Sequence, residues 1–367
     1  MKIAIICPNY PPAVFEGGIS HYSRLIATHL LKNGHKVFAI TSTEFTLPLS
    51  EQKRQDEIKQ IHIQGPWNCN TVNYIEKLVK QKKIDNVVLQ YSPASFKKSF
   101  RIKWALSNFS VQKIVTFHTL WGKGFDRILG ALNLVGCKKI IATNSEIMSI
   151  LTRRLPFLLK KTYMIPIGSN ISANNQKPIT NQDGVPIISY FGMLYPGKGL
   201  NLILDVLEVL KERKQKFVFK FIGGGMLNHE FYETNLQKKI KERSLDDQVE
   251  YLGRIPENEV SKWLNKSRFI FLPYERGLSD RRGSFMAAIA QGKAILSSPP
   301  VVVMPLLKNG VNVLWPIKAS VEEYIKLTEK MLNDDELIRR LEKGAKELSS
   351  NFSWDKIAAE YEFALLN

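Results

Sequence analysis

The residues best suited by type and spacing to do chemistry in this 367-residue chain are cations set in glycine-rich junctions. Gly192-Met193-Leu194-Tyr195-Pro196-Gly197-Lys198-Gly199 follows the apolar run Val185 to Phe191 and precedes a helical pattern. A buried strand ending in such a loop presents free amides and a helix dipole to an anion, and Lys198 adds a full charge. A second junction, Ser279-Asp280-Arg281-Arg282-Gly283-Ser284-Phe285, lies between the apolar run Phe269 to Leu272 and an apolar helix, Phe285 to Ala290. Adjacent arginines there suit a diphosphate, because each guanidinium offers a bidentate fork and Ser284 stands at the helix start. Near the N-terminus, Lys2 to Cys7 is a further apolar run, followed by a loop with Gly17-Gly18 and another helical pattern. The chemistry implied is the holding of a phosphorylated ligand, with Gly192, Lys198, Arg281, Arg282 and Ser284 as its candidate residues.

Other chemistries fit less well. Gly192-x4-Gly197-Lys198 matches a P-loop up to its last position, but Gly199 stands where a hydroxyl would ligate Mg²⁺, and Pro196 removes an amide. An ATPase or kinase is therefore disfavoured. The sequence holds no Asp-x-Asp, and neither its six histidines nor its three cysteines show metal-ligand or disulfide spacing. The expectation is metal-independent chemistry in which fixed cations and amide dipoles stabilise a departing diphosphate.

The elements that must position these groups alternate between strand-like and helix-period segments, which argues for doubly wound α/β layers, with length for two domains. Tyr22, Leu25, Ile26, His29 and Leu30 recur at helical spacing, and Gly34 ends that helix. Strands are predicted at 36–40, 86–90, 113–117, 139–143, 217–222, 249–252, 269–272 and 294–296. The polar stretch Ser172 to Asp183 reads as a linker. The closing helix, Trp354 to Leu366, carries Trp354, Ile357, Tyr361 and Leu365 on one face.

The formal charge of +18 is concentrated in residues 1–165, where 24 Lys+Arg against 9 Asp+Glu give +15. Such a half points to an anionic partner. Nucleic acid is disfavoured, since no aromatic platforms are spaced among basic residues on a strand face. No apolar run is long enough to span a bilayer, and the first apolar run is too short for a secretory leader, so a cytoplasmic protein is expected, peripheral on the inner membrane face. Phe96, Phe100 and Trp104 recur every four residues among Lys97, Lys98, Arg101 and Lys103. Two readings fit: an aromatic stripe turned to the core, or a helix resting in a headgroup layer.

Taken in order, Glu16-Gly17-Gly18, Phe191-Gly192 with Lys198-Gly199, Tyr251-Leu252-Gly253-Arg254, Leu272-Pro273-Tyr274 and Ala290-Gln291-Gly292-Lys293-Ala294-Ile295 resemble the retaining glycosyltransferases of family 4. The resemblance implies a GT-B fold: an acceptor domain over 1–168, a nucleotide-sugar domain over 184–350, and a helix, 353–367, crossing back to the first. It further implies a UDP- or GDP-linked sugar as co-substrate, no other cofactor, and a surface-glycan or lipid-linked acceptor. Gly17 and Gly18 would bring amides to the donor, His118 would lie beside the transferred sugar, Lys198 would contact the diphosphate, and Gly253 with Arg254 would lie near the base. There are two departures from the family pattern. Met193 stands in the segment where an arginine is common, and the usual glutamate pair falls on Ser279 and Ala287. Arg281 and Arg282 are the candidate replacements for the arginine, and Asp280 for a carboxylate on the sugar. The competing functions are a non-catalytic partner of the same fold docking on an anionic membrane, and a GT-B sugar epimerase.

Overall fold

The structure is a computed structural model that describes residues 1–13, 17–45, 57–120, 124–173, 184–225 and 231–367. Glu16 and most of the linker segment, 174–183, lie outside the described residues. The chain forms two compact units, one of Met1–Gly168 with Trp354–Asn367, the other of Ser169–Ser353.

In the first unit, β1 (Lys2–Ile6), β2 (Lys36–Ser42), β3 (Lys59–Ile63), β4 (Asn86–Tyr91), β5 (Gln112–Phe117), β6 (Lys139–Ala142) and β7 (Thr162–Met164) pair in parallel in the order β3-β2-β1-β4-β5-β6-β7. Its helices are α1 (Gly18–Lys32), α2 (Cys69–Lys82), α3 (Lys98–Leu106), α4 (Phe125–Val135) and α5 (Ser145–Arg154). A parallel sheet must be covered on both faces, and the period of two along each strand shows how this is done. Ile3, Ile5, Val88, Ile114 and Ile141 pack on one side with α1. Ala4, Ile6, Val87, Leu89, Val115 and Ile140 pack on the other with α2 and α3.

In the second unit, β8 (Ile187–Phe191), β9 (Val218–Ile222), β10 (Val249–Gly253), β11 (Phe269–Leu272) and β12 (Ile295–Ser297) pair in parallel in the order β10-β9-β8-β11-β12. Its helices are α6 (Leu200–Glu212), α7 (Phe231–Glu242), α8 (Glu257–Lys266), α9 (Gly283–Ala290), α10 (Val321–Asn333) and α11 (Asp335–Ser349). In each unit the strand order reverses once, between β1 and β4 and between β8 and β11. Such switch points open a crevice at the carboxyl ends of the strands, where ligands of this fold class bind.

The last helix, α12 (Trp354–Leu366), belongs to the first unit, where Ile357, Tyr361, Ala364 and Leu365 join the core on the α1 side. Polar contacts fix it. Tyr361 Oη meets Thr116 Oγ1 at 2.7 Å and accepts from Gln90 Nε2 at 3.1 Å. Lys139 Nζ donates to the Ala364 carbonyl at 2.8 Å.

Part of the basic excess of the first half is thereby accounted for within the fold. Lys2 donates to the carbonyl of Lys82, Lys113 to those of Trp104 and Ala105, Lys161 to that of Val135, and Lys139 to that of Ala364. Each caps the C-terminal end of a helix, where the dipole is negative and carbonyls lack partners. The reading of the Phe96, Phe100 and Trp104 stripe as membrane-inserted is corrected. These side chains are 4, 0 and 0% exposed and stack as a ladder, with centroids 4.8 and 5.9 Å apart. Arg101 is buried among them because Asp126 of α4 pairs with it at 2.8 Å, so α3 lies under α4 and turns its aromatics to the sheet. Among the described residues, no helix is long and apolar enough to cross a membrane.

Candidate functional site

The loops after β8 and β11 meet at the switch point of the second unit. β8 ends in Gly192, with φ +145°, where a Cβ would stand 3.4 Å from that of Ser284 and 3.3 Å from the Tyr190 hydroxyl. Ser284 in turn shares a hydrogen bond of 2.6 Å with Tyr274 Oη, which ties the start of α9 to the loop after β11. Gly199, at φ +72°, would place a Cβ 1.8 Å from the Pro273 carbonyl oxygen. No Ser or Thr fits there, so the metal-binding hydroxyl of a P-loop is sterically excluded.

Lys198 is 6% exposed, with Nζ 4.8 Å from the Tyr195 ring centroid and 5.4 Å from that of Tyr274. The guanidinium of Arg282 lies 4.8 Å from the same Tyr274 ring. Two cations thus lie against one tyrosine ring. Burial, reinforced by Arg282 and Arg281, brings the Lys198 ammonium down to about 8 from the usual lysine range. Neither Lys198 nor Arg282 has an ion pair among the described residues, and Arg282 Nε is buried without a partner. Buried like charges with no counterion are unfavourable unless an anion completes them. Gly283 opens α9 beside them without a positive φ, and a Cβ there would meet nothing within 4 Å.

Asp280 is buried in the turn closed by the Arg282 amide and the Ser279 carbonyl at 3.1 Å, while Arg281 is exposed. Gly253, at φ +64°, ends β10 and accepts from the Gly223 amide at 2.8 Å. Arg254 points to the Gly225 carbonyl, and Gly224 gives it room, since a Cβ there would lie 2.7 Å from Arg254 Cγ. That arginine therefore braces the loop after β9. Met193 is 46% exposed, and Ala287 is buried within α9 at 1%. Gly192, Lys198, Arg282 and Ser284 come together at the β8/β11 crevice, with Asp280 and Arg281 in the adjoining turn and Gly253 and Arg254 two strands away.

In the first unit, Gly17 caps α1 and Gly18 is its first residue. A Cβ on Gly18 would also meet nothing within 4 Å, so packing does not require glycine there. His118 follows β5 at the same end of the sheet, and its ring meets Tyr22 of α1 edge-on, with centroids 4.9 Å apart. Gln90 gives its amide to Tyr361, so its Oε1 accepts from His118 Nε2 at 2.8 Å. This network puts the imidazole proton on Nε2 and leaves the Nδ1 lone pair. Burial lowers the His118 pKa to about 3, so the ring is neutral at ordinary pH. The aromatic walls Tyr190, Tyr195 and Tyr274 were not singled out as site residues from the sequence. Only Pro273-Tyr274, just after a strand, offered a signal for any of them.

Residues 172–348 match the family Glycosyl transferases group 1. An uncharacterized glycosyltransferase of Methanocaldococcus jannaschii is 22% identical over 97% of this chain and 95% of its own length. Among solved structures, a glycosyltransferase of Rickettsia africae superposes with a TM-score of 0.78 at 17% identity, covering 100% of this chain and 99% of the other. The Anabaena protein HepE, solved with UDP and glucose, superposes at 0.76 and 14% identity, again over 100% and 99%. The fold is thus GT-B, built of two Rossmann-like units with parallel sheets.

Proposed function

We propose that this chain is a retaining, metal-independent glycosyltransferase that moves a sugar from a nucleoside-diphosphate donor to a surface-glycan or lipid-linked acceptor. One observation carries the reading: Lys198 and Arg282 are gathered on one tyrosine with no counterion among the described residues, at the switch point of the unit that matches a glycosyltransferase family. The second unit holds the donor and the first the acceptor. UDP-linked donors are the first to test, because HepE was solved with UDP.

In the proposed reaction the bond between the sugar's anomeric carbon and the diphosphate breaks as the acceptor hydroxyl bonds to the same face. The hydroxyl proton passes to the departing phosphate oxygen, so no protein nucleophile is needed. Negative charge grows on that oxygen. Lys198, Arg282, Ser284 and the free amides of α9 answer it, each such donor contributing roughly 3 kcal/mol in a site that excludes water. Within the first unit, the neutral His118 offers Nδ1 as an acceptor for a sugar hydroxyl, and the start of α1 offers the amides of Gly17 and Gly18. Gly253 lies toward the base, Arg254 holds the neighbouring loop, and Asp280 contacts the sugar.

The test is release of nucleoside diphosphate from a panel of UDP- and GDP-sugars, with and without a lipid and glycan extract. Acceptor-dependent release that survives EDTA is expected. Failure of every nucleotide to bind by calorimetry, or a loss on chelation that Mg²⁺ restores, would overturn the reading.

A further inference from the structure

On the outer side of the first unit, α4 carries an apolar stripe: Phe125, Ile128, Leu132 and Val135 are 48, 55, 40 and 56% exposed. Their spacing sets them along one line of the helix. The other side of α4 is already committed, with Leu129, Gly130, Asn133 and Leu134 buried. On the adjoining α3, Ile102 and Leu106 lie one turn apart at 36 and 72% exposed. The two helices are held together by the Arg101–Asp126 pair and by Gly136, where a Cβ would meet the Ala105 carbonyl oxygen at 2.3 Å. Scattered exposed apolar residues are ordinary on a soluble protein, but six on two packed helices mark an interaction surface.

Cations flank this ridge. Lys98 Nζ lies 5.9 Å from the Phe125 ring centroid. Lys103, beside Ile102, and Arg127, beside Ile128, are exposed. From Lys97 to Lys138 the sequence holds eight Lys+Arg and one acid, Asp126, which Arg101 neutralises.

We propose that this face docks the first unit on an anionic membrane, with the Phe125 to Val135 stripe inserted at the headgroup boundary and Lys98, Lys103 and Arg127 over lipid phosphates. An amphipathic helix with cations on its flanks binds in this manner. A second copy of the chain is the poorer occupant, because a two-fold contact would bring each cation of the rim toward its own kind. The aliphatic stripe also lacks the flat rings on which nucleic-acid bases stack.

The test is co-sedimentation of the full chain with phosphatidylcholine vesicles and with vesicles containing phosphatidylglycerol, at low and high salt. These vesicles hold neither donor nor acceptor, so the outcome is independent of glycosyl transfer. Binding is expected to require the anionic lipid and to weaken with salt. Ile128→Ser with Leu132→Ser, both exposed, should lower binding at least about tenfold while leaving the thermal melt unchanged. Lys98→Gln, Lys103→Gln and Arg127→Gln together should remove the preference for anionic lipid. Absence of binding by the parent, or equal binding by the stripe variant, would overturn the proposal. A parent dimer that binds no vesicle and that the serine variant converts to monomer would overturn it in favour of a second copy.

Discussion

At Lys198, ligand binding and fold stability pull in opposite directions. Its pKa of about 8, against an ordinary lysine value of 10.5, means that the fold disfavours its charged form. The cost is present in full below pH 8 and is relieved as pH rises toward the unfolded value, so this group's contribution to stability improves with alkalinity. The shift corresponds to about 3 kcal/mol at most, part of it offset by the two tyrosine rings. Lys198→Met keeps the bulk and discards the charge. It is expected to raise the melting temperature by a few degrees while weakening UDP binding by roughly 1.5 to 3 kcal/mol, checked by a thermal scan and by calorimetry. In the parent, UDP affinity should fall above pH 8 as the free lysine deprotonates. A flat profile through pH 10 would remove Lys198 from the anion site. Lys198 was readable from its glycine-rich loop. Its aromatic surroundings were not, because Tyr195 and Tyr274 are 79 residues apart and no local spacing joins them. Arg254 shows the converse: its motif position is legible, but only coordinates reveal that it is spent on the Gly225 carbonyl.

Among the elements, the starts of α1 and α9 invite a direct experiment. Gly18 and Gly283 have open space around a hypothetical Cβ and no positive φ, so alanine fits the fold at either position. Gly→Ala there should leave stability unchanged or raise it by about 0.5 to 1 kcal/mol, by narrowing the unfolded ensemble. If the amides approach a ligand closely, Gly283→Ala should weaken UDP binding, and Gly18→Ala should slow transfer, by about tenfold or more. Parent-like binding and turnover in both would leave these helix starts without a ligand role. The same contrast between inner and outer positions explains what the sequence revealed of the strands. Phe269–Leu272, a central strand buried on both faces, reads as an unbroken apolar run and was placed to the residue. β3 and β7 went unpredicted because they are the two edges of their sheet, where Lys59-Gln60-Ile61-His62-Ile63 and Thr162-Tyr163-Met164 are only partly covered. α3 misled for a related reason: a stripe of aromatics among cations looks alike whether sheet or lipid lies beneath it, and only α4, packed above, decides.

For the whole molecule, the decisive element is α12. Tyr361→Phe would remove the hydroxyl shared by Thr116 and Gln90, both wholly buried, and should cost about 1 to 3 kcal/mol, read by denaturant unfolding. It should also release Gln90 and so loosen the hold on His118 Nε2, visible as a changed imidazole nitrogen resonance. A parent-like resonance would mean that Gln90 is positioned without the helix. The return of α12 to the first unit also bears on biosynthesis. A ribosome delivers Met1 to Gly168 first, yet that unit is still missing Ile357, Tyr361, Ala364 and Leu365 from one of its cores. The second unit, encoded later, is drawn wholly from Ser169–Ser353. Domains generally mature in the order of their synthesis. Here the half made first must wait for a helix encoded after the second unit, and in that interval its open core is the surface a chaperone would be called on to shield.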